Sequence, residues 1–248
     1  MAGRVEHEDR TRRLLRVLEE AAPSAGDPFP CPYLPGRVSR NITILARSLP
    51  AGLYHAFMDL NFRRAGELFY RPDCEGCTEC RMLRVPVASF RPSRSQRRCQ
   101  SRNADLRIEV GEPRVDSERA GLYASYLAAR HDGQMGGSLA ELRDFLYTSN
   151  LETIEVVYRL GDRLVAVGIA DVEPLATSAV YCYFDPELEQ RSLGVFNVLT
   201  LLELCRLRGQ AHLYLGYYVA GSPHMSYKAG FRPCEQLGSN GRWAPALP

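Results

Sequence analysis

Between Thr153 and Tyr217 the chain runs through three strand-like segments, a long apolar helix and a closing strand, and this order constrains the fold more than any other feature. Thr153–Arg159 and Arg163–Val172 flank Gly161-Asp162, a turn pair that joins them as a hairpin. Ala179–Phe184 adds a third strand. Ser192 is placed to cap a helix over Leu193–Leu207, where Val195, Val198, Leu199, Leu201 and Leu202 leave no polar side wide enough to face water. Leu213–Tyr217 closes the set. Antiparallel strands followed by a buried helix and a final strand describe an α+β domain.

The remaining segments are shorter. Residues 5–21 read as a charged amphipathic helix, and five prolines from Pro23 to Pro35 break any regular element after it. Ile42–Arg47 reads as a strand, and Ala51–Phe62 as a helix with Leu53, Phe57 and Leu60 on one face. Leu68–Tyr70 and Met82–Val87 are expected to pair as a hairpin with a cysteine loop at its tip. Ser93 or Ser95 caps a helix that ends near Asn103, and Leu106–Val110 is a strand. Two helices follow, Ser117–Arg130 and Ser138–Leu146, the second opened by a Ser138/Glu141 capping box. Met225–Lys228 forms a last helical turn. The expected division is at residue 110, with 1–110 an N-terminal cysteine-containing subdomain that includes the arginine-rich helix and 111–248 the second domain.

Composition adds two further constraints. No apolar run in the 248 residues approaches the roughly 20 needed to span a bilayer, and the first residues (Glu6, Glu8, Asp9, Arg10, Arg12, Arg13) are charged, so a cytoplasmic protein without a membrane partner is expected. In that compartment eight cysteines are free, metal-binding or catalytic rather than disulfide-bonded. Cys74, Cys77 and Cys80 share one seven-residue loop. Three thiolates on a tight loop can grip zinc or an iron–sulfur cluster if a fourth ligand arrives from elsewhere, and Cys31 in its Pro-rich turn is the candidate. The alternative is a set of reduced thiols.

All of the 31 Lys and Arg residues but Lys228 are arginine. From Arg81 to Arg107 eight arginines face one acid, Asp105, which is the charge pattern of a surface for a polyanion such as RNA. The single lysine sits in the stretch Tyr214 to Lys228, where aromatics and a glycine also gather. An ammonium can lose its charge near neutral pH, and a guanidinium cannot.

Two resemblances follow from the motifs. Arg191-Ser-Leu-Gly194, between a strand and a helix, resembles half of the pyrophosphate loop of GNAT acetyltransferases, but Phe196 stands where a second small residue belongs, which disfavours coenzyme A. More extensively, Cys31-Pro-Tyr-Leu-Pro-Gly36, Phe62-Arg-Arg-Ala-Gly-Glu67, Phe90-Arg-Pro-Ser-Arg-Ser-Gln-Arg-Arg98, Tyr214-Leu-Gly-Tyr-Tyr218 and Met225-Ser-Tyr-Lys228 resemble the bacterial branch of the arginyl-tRNA–protein transferase family. The resemblance runs from about residue 28 almost to the end, with His224 and Gly230 departing from the usual residues.

The resemblance implies a GNAT-like acyltransferase domain with an N-terminal cysteine-containing subdomain. It implies transfer of an aminoacyl group from charged tRNA to the N-terminal α-amine of an acceptor protein, marking it for the N-degron pathway, with no cofactor required and no DNA involved. The short bacterial branch implies leucyl-tRNA and acceptors that begin with Asp or Glu; arginyl-tRNA, used by longer relatives, stays open. On this reading Tyr214, Tyr217, Ser222, Tyr227 and Lys228 position the ester and stabilise its charge, or the tyrosines are wall packing. Arg71 and one of Arg94, Arg97 and Arg98 face the acidic N-terminus. Arg91, Arg94, Arg97, Arg98 and Arg102 hold tRNA phosphates, and Cys31, Cys74, Cys77 and Cys80 are the metal candidates. A non-catalytic cysteine-cluster module for RNA binding or redox sensing would share the loop and the arginines but has no need of the Tyr214–Lys228 stretch.

Overall fold

The computed structural model describes residue 16 and residues 22–46, 48–130 and 138–246. The helix expected over 5–21 lies, apart from residue 16, outside the described residues. The strands are β1 (Ser24–Ala25), β2 (Phe29–Pro30), β3 (Val38–Ser39), β4 (Asn41–Leu45), β5 (Arg63–Ala65), β6 (Leu68–Pro72), β7 (Arg81–Pro86), β8 (Arg107–Gly111), β9 (Thr153–Leu160), β10 (Arg163–Glu173), β11 (Ala176–Phe184), β12 (His212–Tyr218), β13 (Glu235–Leu237) and β14 (Trp243–Pro245). The α-helices are α1 (Leu53–Asp59), α2 (Arg94–Arg102), α3 (Ser117–Arg130), α4 (Leu139–Leu142) and α5 (Leu193–Leu207).

The principal sheet has the order β14-β13-β7-β12-β11-β10-β9-β8, and a smaller one has the order β1-β4-β6-β5. The hairpin at Gly161-Asp162 forms as expected, with Arg163 opposite Leu160. Helix α5 matches its expected bounds, and Leu193, Val198, Leu199, Leu201 and Leu202 all pack in one core cluster with strand residues such as Val156, Val165 and Leu213. Burying such side chains contributes about 1.5–3 kcal/mol each, which outweighs the weak amphipathicity of the helix. Its start differs from the expectation. Ser192 adopts a left-handed conformation (φ 54°, ψ 48°) and its side chain makes no cap.

The expected hairpin of Leu68–Tyr70 with Met82–Val87 does not form. β6 pairs with β4 and β5 in the small sheet, whereas β7 lies between β12 and β13 in the large one. The reason is burial on both faces of β7: Leu83 and Val85 belong to one core cluster and Met82 to another. A strand buried on both faces belongs in a sheet interior. The large sheet thus draws β7 and β8 from before residue 111 and the other strands from after it.

Helix α2 begins at Ser93, whose hydroxyl accepts from the Gln96 backbone N–H while the Gln96 side chain accepts from the Ser93 N–H. Helix α4 opens on the matching Ser138/Glu141 box, then widens into a π-turn over Arg143–Tyr147.

Candidate functional site

Strands β11 and β12 run parallel and paired only over Ala176–Ser178 and His212–Tyr214. Both then bulge. Against β10, the register of β11 skips Val180, and against β7 the register of β12 skips Leu215. An extra residue bends a strand and twists it away from its neighbour, so the two part beyond this point, and such bulges concentrate beside functional sites.

Arg63 of β5 fills the opening. Its Nη2 donates to the Val180 carbonyl at 2.9 Å, and its guanidinium carbon lies 5.6 Å from the centre of the Tyr217 ring. Gly216 makes room for it, since a Cβ there would stand 2.8 Å from Arg63 Cζ, and the glycine φ of +73° would strain any other residue. Tyr33, Tyr54, Tyr70 and Tyr217 are its electrostatic neighbours. The alternation of a strand sends the next residue, Arg64, to the opposite side, where it makes a two-pronged ion pair with Asp171 at 2.8 Å. Neither of those two side chains is exposed.

Lys228 lies on the 3-10 segment Pro223–Gly230 and reaches the same opening. Its Nζ donates to the Tyr217 carbonyl at 2.7 Å. Burial, and then the neighbouring charge of Arg63, push its pKa down to about 7. The side chain is half-buried and meets no carboxylate among the described residues. A lysine so placed exchanges its proton near neutral pH, as a general base requires.

The other candidates are distributed differently. Tyr214 and Tyr217 are fully buried. The Tyr214 hydroxyl donates to Asp59 Oδ1 at 2.6 Å and accepts from Arg84 at 3.3 Å, and Trp243 Nε1 also donates to Asp59. The Tyr217 hydroxyl lies against the carbonyls of Asn61 (2.9 Å) and Tyr70 (3.2 Å). Both hydroxyls are therefore bonded inside the protein; the Tyr217 ring backs Arg63, whereas Tyr214 packs against Asp59, Arg84 and Trp243. Ser222 is buried at the turn into the 3-10 segment, its backbone bonded to Val219 and Met225. Tyr227 is 45% exposed. Arg71 is half-buried with its guanidinium 5.0 Å from the Phe62 ring centre.

Arg91, Arg94, Arg97, Arg98 and Arg102 are all exposed, and none has a carboxylate partner among the described residues. The helix that carries most of them is tied at one end to the Lys228 segment and at the other to the turn into α5. Gln96 donates to the Gly230 carbonyl at 3.1 Å, at the end of the Lys228 segment. Asn103 donates to the Arg191 carbonyl at 2.8 Å, and Arg191 pairs with Asp105 at 2.8 and 2.9 Å. Cys99 lies against the carbonyls of residues 191 and 192 as well. Helix α2 therefore covers the approach to the α5 N-terminus. Phe196 points into the core, 5.6 Å from Tyr158 between ring centres.

The arginine face predicts a salt effect. Replacing Arg94, Arg97 and Arg98 together by alanine should flatten the slope of log affinity for tRNA against log salt by roughly 2–3, since each phosphate contact contributes about 0.7–0.9. Titration of labelled tRNA at several salt concentrations reads this directly; an unchanged slope removes tRNA from that face.

Cys31, Cys74 and Cys77 all lie near Cys80, whose thiol is pushed up to about 12 by burial first and then by those three neighbours. Ser39 Oγ lies 3.4 Å from Cys74 Sγ. The four cysteines are free, and among the described residues no group of three or more His, Cys, Asp or Glu is set to hold a metal ion.

Arg63 is the residue that sequence reasoning missed. The sequence carries Arg63 only within the motif Phe62-Arg-Arg-Ala-Gly-Glu67, and the strand β5 that sends Arg63 and Arg64 to opposite faces is evident only in the structure.

Comparison with known proteins bears on the same residues. Residues 29–98 match the model of the arginine-tRNA-protein transferase N terminus, and residues 118–238 that of its C terminus. An aspartate/glutamate leucyltransferase of Halorhodospira halophila is 40% identical over 217 residues, covering 85% of this chain and 92% of that protein. The protein of that name in Chromobacterium violaceum is 37% identical over 219 residues, covering 87% and 90%. Among solved structures, the C-terminal domain of a protein described as a lysylphosphatidylglycerol synthetase from Agrobacterium fabrum aligns with TM-score 0.51 and 14% identity, over 95% of this chain and 85% of that one. That likeness is one of fold, a mixed helix-and-sheet architecture. No helix among the described residues is long and apolar enough to cross a membrane.

Proposed function

The chain belongs to the arginine-tRNA-protein transferase family, and we propose that it moves leucine from leucyl-tRNA to the N-terminal α-amine of proteins that begin with Asp or Glu, in the cytoplasm. The donor and acceptor come from the names of its relatives. The observation that carries the chemistry is the meeting of Lys228 and Arg63 in the opening between β11 and β12, beside an exposed arginine helix. On this reading residues 111–248 form the GNAT-like core, completed by strands and α2 from the N-terminal cysteine-containing part.

An aminoacyl ester is already activated, so the enzyme must supply a neutral amine and hold it against the carbonyl. The acceptor α-amine has a pKa of about 7.7–8.0 and is mostly protonated at pH 7. The neutral fraction of that amine, its first proton released to solvent, attacks, and neutral Lys228 takes a second proton from its nitrogen as the bond to the ester carbon forms. The bond from that carbon to the ribose oxygen then breaks, and the proton passes to the departing oxygen. Orientation between tRNA on α2 and acceptor in the opening adds to the rate, because a pre-aligned pair avoids much of the entropic cost of meeting. Tyr217 supports the opening from behind, Tyr214 anchors the same strand through Asp59, and Ser222 and Tyr227 both precede Lys228 in the chain.

The thiols of Cys31, Cys74, Cys77 and Cys80 have donor chemistry suited to zinc or an iron–sulfur cluster. Cys31, Cys74 and Cys77 all lie near Cys80, and these four residues would hold such a group.

The deciding experiment supplies labelled leucyl- or arginyl-tRNA with peptides that begin with Asp, Glu, Arg or Ala. Label should enter the Asp and Glu peptides from leucyl-tRNA alone. Label from arginyl-tRNA instead would assign the other donor, and no transfer from either would overturn the reading.

A further inference from the structure

We propose that Arg63 reads the acidic side chain of the acceptor: its guanidinium binds the carboxylate of the N-terminal Asp or Glu in the opening between β11 and β12. This rests on the transfer reading above and names the residue that sets its acceptor specificity.

Four observations meet at this side chain. Arg63 is a half-buried cation with no carboxylate partner among the described residues, while Arg64 beside it is fully matched by Asp171. A partly desolvated guanidinium without a counter-ion is costly, and an anionic ligand removes that cost. One of its five N–H donors is bonded to Val180, which fixes the fork and leaves donors for a carboxylate. The glycine at 216 exists in a conformation that leaves the guanidinium its place. Finally, Lys228 is its electrostatic neighbour. In an N-terminal Asp only Cα and Cβ separate the α-amine from the carboxyl carbon. A cation that binds the carboxylate must therefore adjoin the group that receives the amine's proton, and Arg63 does. Arg94, Arg97 and Arg98 stand instead on the exposed face of α2.

A donor to the carbonyl oxygen of the ester would also be cationic and near Lys228, and acceptor selectivity separates the two roles. An Arg63 that reads the acceptor matters for Asp and not for the isosteric Asn, whereas one that serves the ester matters equally for both.

The test measures kcat/KM for leucine transfer to peptides that differ only in beginning with Asp or Asn. For Arg63→Gln the Asp/Asn ratio should fall roughly 10- to 100-fold, the range expected for losing hydrogen bonds to a charged group. Arg63→Lys keeps the charge without the planar fork and should give an intermediate ratio. Thermal melts establish that each variant is folded, and Arg63→Lys alone decides the question if Arg63→Gln is not. An Asp/Asn ratio equal to that of the wild type in the folded variants, whether or not the overall rate falls, overturns the assignment. Failure of the underlying transfer reading looks different: the unmodified protein then transfers no leucine to the Asp peptide.

Discussion

Lys228→Arg should lower leucyl transfer by roughly 10²–10⁴-fold, the usual contribution of a positioned base, with the fold and tRNA affinity kept. The substitution holds a positive charge at a half-buried place but removes the ability to be neutral near pH 7. In the unmodified protein the pKa of Lys228 is depressed to about 7, by burial and by Arg63. Its base form is therefore scarce below that pH and abundant above it. Transfer should rise as pH increases through about 7, and a second rise should follow the acceptor amine at about 7.7–8.0. Initial rates across pH check both limbs. The variant should retain only the later limb, and unchanged rates in Lys228→Arg would make the lysine incidental. Arg63→Lys gives the companion profile, because a flexible ammonium in place of the guanidinium still carries charge toward Lys228 and should leave its depressed pKa in place.

Asp171→Ala should destabilise the protein by about 3–5 kcal/mol, because it strands a fully buried guanidinium. Arg64 holds Asp171 through two bonds of 2.8 Å and donates further to the carbonyls of Gly66 and Thr148. Asp171 in turn accepts from Thr153 Oγ1 at 2.8 Å. The ion pair therefore fastens β5 of the small sheet to β9 and β10 of the large one. For a chain of this length each kcal/mol lowers Tm by about 2–4 °C, so calorimetry should record a fall of roughly 6–20 °C. The double replacement Arg64→Met with Asp171→Leu should cost less than Asp171→Ala, since no lone charge remains buried. A shift of only a degree or two in Asp171→Ala would show that the pair contributes little. Because Arg63 is the neighbour of Arg64 on the same short strand, Asp171→Ala should also loosen the position of Arg63 and reduce acceptor selectivity.

Local signals were legible where they were self-contained. The Ser93 and Ser138 caps, the turn at Gly161-Asp162 and the bounds of α3 and α5 depend on residues a few positions apart, and each forms as read. What escaped was pairing across long separations. Met82, Leu83 and Val85 announce a buried strand, yet nothing near them in the chain says that its neighbours are His212–Tyr218 and Glu235–Leu237. The site shows the same limit. Lys228 stood out as the only lysine, whereas Arg63 is one arginine among thirty until the bulges at Val180 and Leu215 open a place for it. The sequence leaves Tyr214 open between positioning the ester and packing a wall, because the Asp59–Arg84–Trp243 network around its hydroxyl comes from three distant segments.

The insertion of β7 between β12 and β13 sets the timing by which the protein can become itself on the ribosome. Residues 81–86 leave the exit tunnel long before residues 212–218 and 235–237 exist, so a strand buried on both faces waits without neighbours for much of synthesis. Contacts of such separation form late and slowly, and the waiting strand is an aggregation hazard. A nascent chain released before β13 is made has its thiols and its hairpin, but β7 has no partner on one side. A product that ends before β13 is thus expected to be less stable and more prone to aggregate than the full chain.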